Sequence, residues 1–242
     1  MTIQHHRPMR PGPEAEMMDA VFQWSDDFSS TQPYWRASSV PVGAGMPDFI
    51  LATYRPEITK LSSTSEYYAG VLAFLRLVRI ATAQTIAEKI GKPKKRIQEA
   101  LELLADAEAI ETKGDAFKLT TRWRQILPKT IAIEAKVSDW RRAVEQASRN
   151  SIFVHYSYVA LPERLSLRVA VDPIFDQVGV GVLSVAETGK VRIVRRALRS
   201  SPIAWYYYYD LALTLNSSQA RRRCPFKYPS MTPANSSQTT PL

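Results

Sequence analysis

Cysteine is almost missing from this 242-residue chain. Its one copy, Cys224, lies in a polar C-terminal stretch. No disulfide can form within the chain, and a reducing, cytoplasmic setting is expected. Histidine is scarce as well: His5, His6 and His155 are too scattered for a zinc site. No segment offers ~18 uninterrupted apolar residues, so none is expected to span a membrane. The N-terminal residues carry no apolar signal core, and secretion is not expected. The G-x-x-x-x-G-K-S/T phosphate loop, the G-x-G-x-x-G dinucleotide fingerprint and the G-x-S-x-G elbow are all absent. ATP use, redox chemistry and serine hydrolysis therefore have no support. There is no internal repeat.

What is present is apolar enough to fold, at 45% hydrophobic residues, and strongly basic, with a net charge of +9. The length admits one large domain or two small ones. The charge points to an anionic partner, nucleic acid first. The plainer account is a soluble protein with a basic tail, because Arg221, Arg222 and Arg223 swell the count.

The chain changes character along its length. Residues 1–13 are polar and proline-rich. Over 14–28 Met17, Val21, Trp24 and Phe28 fall on one helical face. Residues 29–45 are rich in Ser, Pro and Gly and read as loop, and "MPDFILATY" (46–54) reads as a short strand. From 60 to 123 the pattern turns helical. "SEYYAGVLAFLRLV" is one helix. "TAQTIAEKIG" is a second, capped by Thr82 and stopped by Gly91. "KPKKRIQEALELLADAEAI" is a third, with Pro93 in its first turn and Ile97, Leu101 and Leu104 at core spacing. Two short strands follow around Lys113-Gly114-Asp115. Three helices and a β-hairpin in this order resemble the winged helix-turn-helix family over the whole segment.

In that family the N-terminal residues of the recognition helix lead into the DNA major groove. Here they are Lys92, Lys94, Lys95 and Arg96, with Gln98 on the face opposite the core stripe. Glu99 and Glu102 on the exposed side oppose deep entry, and contact with another protein is the competing use of such a helix. The run "WYYYYD" (205–210) could stack unpaired bases, but a packed helix or strand face accounts for it better.

The stretch "TIAIEAKVSDWRRAVEQA" (130–147) is a strand followed by an amphipathic helix. Alternation places Ile131, Ile133, Ala135 and Val137 on one face, and Glu134 and Lys136 together on the other. Burying two charges costs several kcal/mol unless they are paired or bind something. An ion pair on a solvated face is one account, and a metal-dependent phosphodiesterase site is the other. Spacing alone does not decide, since Glu111-Thr112-Lys113 repeats the triple beside a turn and carries no chemistry.

Context favours the second triple. Pro47-Asp48 opens one strand, Glu134-Ala135-Lys136 ends another, and a helix with Gln146 follows. This constellation resembles the PD-(D/E)xK nuclease superfamily over roughly 14–54 and 129–200. The resemblance implies Asp48 and Glu134 as ligands of Mg²⁺ or Mn²⁺, with the Ala135 carbonyl as a third. It implies Lys136 as the group that orients water, and Gln146 near the site. A further glutamate often comes from the first helix. Glu14 precedes Met17, Met18 and Val21 by three, four and seven residues, so it lies on the inward face.

Two departures stand out. Asp48 and Glu134 are 86 positions apart, where family members use a short connection. The winged-helix segment accounts for most of that gap if strands 46–54 and 130–137 pair antiparallel. Asn150 stands where an aromatic or basic residue is common in the family.

The expected fold is α/β: a restriction-endonuclease-like mixed sheet flanked by helices. Its core would run over 14–59 and 124–215, with a winged-helix insertion at 60–123 and disordered tails at 1–13 and 216–242. The expected activity is Mg²⁺-dependent DNA cleavage, and the alternative is an inactive DNA-binding regulator on the same scaffold. DNA is the expected partner. A homodimer, or a protein docked on the winged helix, are further options.

Overall fold

The computed structural model describes residues 3–5, 11–27, 31–61 and 66–217. The chain opens with β1 (Ile3–His5), then α1 (Pro13–Trp24), β2 (Tyr34–Ser38) and β3 (Phe49–Thr53). A middle unit follows: α2 (Glu66–Val78), β4 (Ile80–Thr82), α3 (Ala83–Ile90), α4 (Lys94–Asp106), β5 (Ile110–Lys113), β6 (Ala116–Leu119) and the single turn α5 (Thr121–Arg124). The rest comprises β7 (Lys129–Ala135), α6 (Trp140–Asn150), β8 (Tyr156–Pro162), α7 (Glu163–Val169), α8 (Ile174–Val178), β9 (Gly181–Val185), β10 (Val191–Arg195) and α9 (Trp205–Asn216). Among the described residues, no helix is long and apolar enough to cross a membrane.

Seven strands form one mixed sheet in the order β1-β2-β3-β7-β8-β9-β10. Neighbours β3 and β7 run antiparallel, from Phe49 opposite Ile133 to Thr53 opposite Lys129. The β7–β8 and β8–β9 pairs are parallel, so helices must carry the chain back between them. These crossovers are α6, and α7 with α8.

Alternation along the strands separates the two faces of the sheet. Phe49, Leu51, Ile133 and Ala135 bury against Met17, Met18 and Val21 of α1. On the other face, Val159, Leu161 and Val182 pack on Ala143, Val144 and Ala147 of α6. The result is a mixed sheet covered by helices on both sides.

Two expectations need correction. The stretch 29–45 was expected to be loop, yet Tyr34–Ser38 forms β2 and is almost wholly buried. Arg36 hides that strand in the sequence. It is 1% exposed and is tolerated because it pairs with Asp26 and lies 4.5 Å from the Phe22 ring centre. The tails are also shorter than expected. Ile3–His5 pairs parallel with β2, Pro13 starts α1, and Asn216 is buried inside α9. The remainder of the expected tail, 218–242, lies outside the described residues.

The middle unit packs α2, α3 and α4 around Leu72, Ile86, Ile97, Leu101 and Leu104. Its small sheet has three strands, β4-β6-β5, because Ile80–Thr82 adds a strand to the hairpin. Thr82 caps α3 through the Thr85 N–H, and Gly91 ends it in a left-handed conformation. Glu111 stands opposite Lys118 and pairs with it at 2.8 Å, which accounts for the second E-x-K triple.

The two ends of this unit lie together. Arg55 N–H donates to the Ile126 carbonyl at 2.9 Å, and Arg122 pairs with Glu57 at 2.9 Å. The interior of the unit is continuous with the sheet's core: Ile50, Ala52 and Ala132 belong to the same apolar cluster as Leu72 and Leu104.

α9 joins the two. The Tyr208 hydroxyl accepts from Leu127 N–H at 2.9 Å and donates to the Leu127 carbonyl at 3.1 Å. Tyr209 donates to the Trp123 carbonyl at 3.0 Å. The Asn216 amide donates to the carbonyls of Ile58 and Leu61. The tyrosine run is thus largely a packed helix face, with Tyr206 its exposed member.

Tyr208→Phe leaves the buried N–H and carbonyl of Leu127 without that partner. It should cost about 1–3 kcal/mol of stability, read as a lower urea midpoint. Replacing 60–123 with a Gly/Ser linker should uncover the apolar face over Ile50 and Ala132 and abolish cooperative melting. A linker variant that melts sharply near the parent temperature would show that the sheet folds without the unit.

Candidate active site

The pairing of β3 with β7 brings the two ends of the sequence motif together. Phe49 is the first residue of β3 and stands opposite Ile133. Asp48 precedes it, so its neighbour across the pair is the segment around Glu134. The Asp48 carboxylate accepts the Ala135 N–H at 2.9 Å. The Asp48 and Glu134 carboxyls lie within direct electrostatic and hydrogen-bonding reach of each other.

Glu134 is 3% exposed. Asn150, the last residue of α6, donates its side-chain N–H to Glu134 Oε1 at 2.6 Å. Lys136 lies just past the last residue of β7, so strand alternation no longer fixes its side chain. Its ammonium donates to the Ala135 carbonyl at 2.9 Å and to Glu14 Oε2 at 3.3 Å. Glu14 reaches it from the first turn of α1, which begins with Pro13 in the position proline favours. The Lys136 and Glu14 side chains are 20% and 40% exposed, so this ion pair adds little stability.

Burial first, and then the neighbouring Asp48 charge, push the Glu134 carboxyl up to about 8. The Asn150 amide and Lys136 oppose that rise without cancelling it. Asp48 is raised by burial too, against the pull of the Ala135 N–H and Lys136, while Glu14 adds to the rise. Two acids crowded in this way are relieved by a proton or by a cation.

The structure therefore brings Asp48, Glu134, Ala135, Lys136 and Glu14 to one end of the β3–β7 pair. Gln146 sits on α6 one turn before Asn150, and its Oε1 is buried without a hydrogen-bond partner. Lys92, Lys94, Lys95, Arg96 and Gln98 are exposed around the start of α4, away from this cluster in the middle unit. Arg96 is held by Glu99 at 3.0 Å, and Lys92 lies 5.5 Å from the Tyr67 ring centre.

Among the described residues, no three His, Cys, Asp or Glu side chains form a ready metal-binding group. Glu14 is on Lys136. What remains is a pair of hard-oxygen carboxyls beside a main-chain carbonyl. That donor set fits Mg²⁺ or Mn²⁺ better than a softer ion.

Asn150 is the site residue that sequence reasoning named only as a departure from the family pattern. The signal was available: Ala143, Ala147 and Asn150 follow one helical stripe, and all three are buried. An amide in an apolar stripe needs a buried partner. Comparison with known protein families, curated proteins and solved structures finds no match.

The raised Glu134 carboxyl has a consequence for stability. Unfolded, this group ionises near the ordinary value of 4.5; folded, near 8. Across that interval the folded, metal-free protein holds a proton that the unfolded chain has lost. Its stability should therefore fall as pH rises from about 5 to about 8. Melting curves in chelator across that range test this, and Glu134→Gln should flatten the trend. A Gln variant that declines as steeply as the parent would remove Glu134 as its source.

Proposed function

We propose that this chain is a metal-dependent DNA phosphodiesterase with a restriction-endonuclease-like core and an inserted winged-helix unit that contacts DNA. The observation that carries this reading is the convergence of Asp48, Glu134 and Lys136 at the end of two paired strands. The order of helices and strands in 66–119 supports the winged-helix part.

The roles follow from the contacts. Asp48 is fixed by the Ala135 N–H, and Glu134 by Asn150. A divalent cation held by these two carboxylates and the Ala135 carbonyl would supply charge stabilisation and a more acidic bound water. Lys136 can part from Glu14 at little cost, because that pair is partly exposed and weak. Its ammonium then hydrogen-bonds the attacking water and offsets charge on the phosphate oxygens. Hydrolysis adds water at phosphorus and breaks one phosphorus–oxygen ester bond. Gln146 offers a buried acceptor with an unused lone pair on the same helix as Asn150.

The second reading is a DNA-binding regulator that has lost activity. The grip of Glu14 on Lys136 favours it, because among the described residues no third acid joins Asp48 and Glu134 in a group able to hold a metal ion.

Purified protein should cut DNA only with Mg²⁺ or Mn²⁺. Lys136→Ala should abolish cutting and leave DNA affinity nearly unchanged, since the loss falls on the transition state. The double variant Lys94→Ala/Lys95→Ala should bind DNA more weakly, with a shallower dependence on salt. Tight DNA binding with no ion binding by calorimetry, and no cutting of duplex, branched or single-stranded substrates, would decide for the regulator. No nucleic-acid binding at low salt would defeat both readings and leave the winged helix as a protein contact.

A further inference from the structure

Asn150 is 3% exposed, and its amide nitrogen is 2.6 Å from Glu134 Oε1. Its main chain is fixed as well, because its carbonyl accepts from the N–H groups of Phe153 and Val154. The other side of its amide faces the loop between β2 and β3. A Cβ added to Gly45 would come within 3.6 Å of Asn150 Oδ1, so the loop passes close to the amide and a side chain at that position would touch it.

That loop is braced in turn. Val42 and Gly45 exchange hydrogen bonds at 2.9 and 2.7 Å. Gly43 donates its N–H to Asp210 of α9. The Tyr207 ring packs so closely on Gly43 that an added Cβ would meet it at 2.8 Å. Contacts thus run from α9 to residues 43–45, and that loop lies next to the Asn150 amide that holds Glu134.

The chemistry of the donor matters. Asn150 is neutral. It satisfies one carboxyl oxygen without placing a positive charge beside the group, so a cation that displaces the proton from Glu134 meets no competitor there. An arginine or lysine in its place would compete with that cation. An aspartate would add a third acid with no donor when ionised.

We propose that Asn150 is a positioning residue: it holds Oε1 of Glu134 by a neutral hydrogen bond and so presents Oε2 beside Asp48. The proposal rests on the phosphodiesterase reading for its effect on rate, but its effect on ion binding and on the placement of Glu134 does not need that reading.

The test uses the full chain with Asn150→Leu, which keeps the branched shape and removes the donor. Asn150→Ala serves if the Leu variant does not fold. Partner groups of this kind change metal affinity or activity by about 10–100-fold. Mn²⁺ titrated by calorimetry should bind more weakly by that factor, and kcat should fall by a similar factor. KM for DNA should hold steady, whereas a general loss of folding would lower the active fraction and the melting temperature instead. A crystal structure of the metal-free variant should find the Glu134 carboxyl turned away from its present position.

Unchanged Mn²⁺ affinity in the variant, with Glu134 in place, overturns the proposal whether or not the protein cuts DNA. Weakened Mn²⁺ binding in a protein that never cuts supports the positioning role and removes the phosphodiesterase reading. If the parent binds no Mn²⁺, the crystal structure alone decides: a displaced Glu134 supports the role, and an undisturbed one refutes it.

Discussion

The antiparallel pairing of β3 with β7 is the constraint on which the rest of the molecule depends. It sets Phe49 against Ile133, and that register carries Asp48 to the Ala135 N–H. The other end of the same ladder, Thr53 against Lys129, brings together the two points where the middle unit leaves and rejoins the sheet. A slip of one residue would send Glu134 to the α1 face and bury Ile133 against nothing that fits it. Site geometry and the placement of 60–123 are therefore two results of one register.

Electrostatically, the site combines opposed demands. Burial presses both Asp48 and Glu134 toward neutrality, and the Asp48 charge presses Glu134 further. The Ala135 N–H, the Asn150 amide and Lys136 hold them toward ionisation. None of these donors fully neutralises the pair. A cluster poised in this way is costly as a structural device, since apolar residues would fill the space with less penalty. This is the physical reason to regard it as a site and the Glu111–Lys118 pair as ordinary surface chemistry, exposed and directly matched across two strands.

Much of this was readable in the chain. Alternation separated Ile133 and Ala135 from Glu134, and the helical offsets of Met17, Met18 and Val21 placed Glu14 on the covered side. Lys136 was only partly readable, because the strand stops at Ala135 and the long side chain finds Glu14. β2 was hidden by Arg36, a charge that becomes acceptable inside through Asp26, Ser25 and Phe22, partners from a different segment. β4 is three residues long, too short for any periodicity to register. Asn150 was weighed against the residue a family would place there, when its own position in the stripe of α6 carried the information.

α9 bears on how the protein is made. A ribosome delivers this helix after every other described element. Yet its side chains close hydrogen bonds at Ile58, Leu61, Trp123 and Leu127, and it steadies the loop at Gly43. A nascent chain that lacks it keeps the apolar core shared by sheet and middle unit but loses these further ties, and the loop near Asn150 loses its backing. The candidate site is thereby tied to the last of the described helices: a copy without α9 carries Asp48, Glu134 and Lys136 without part of the framework around them.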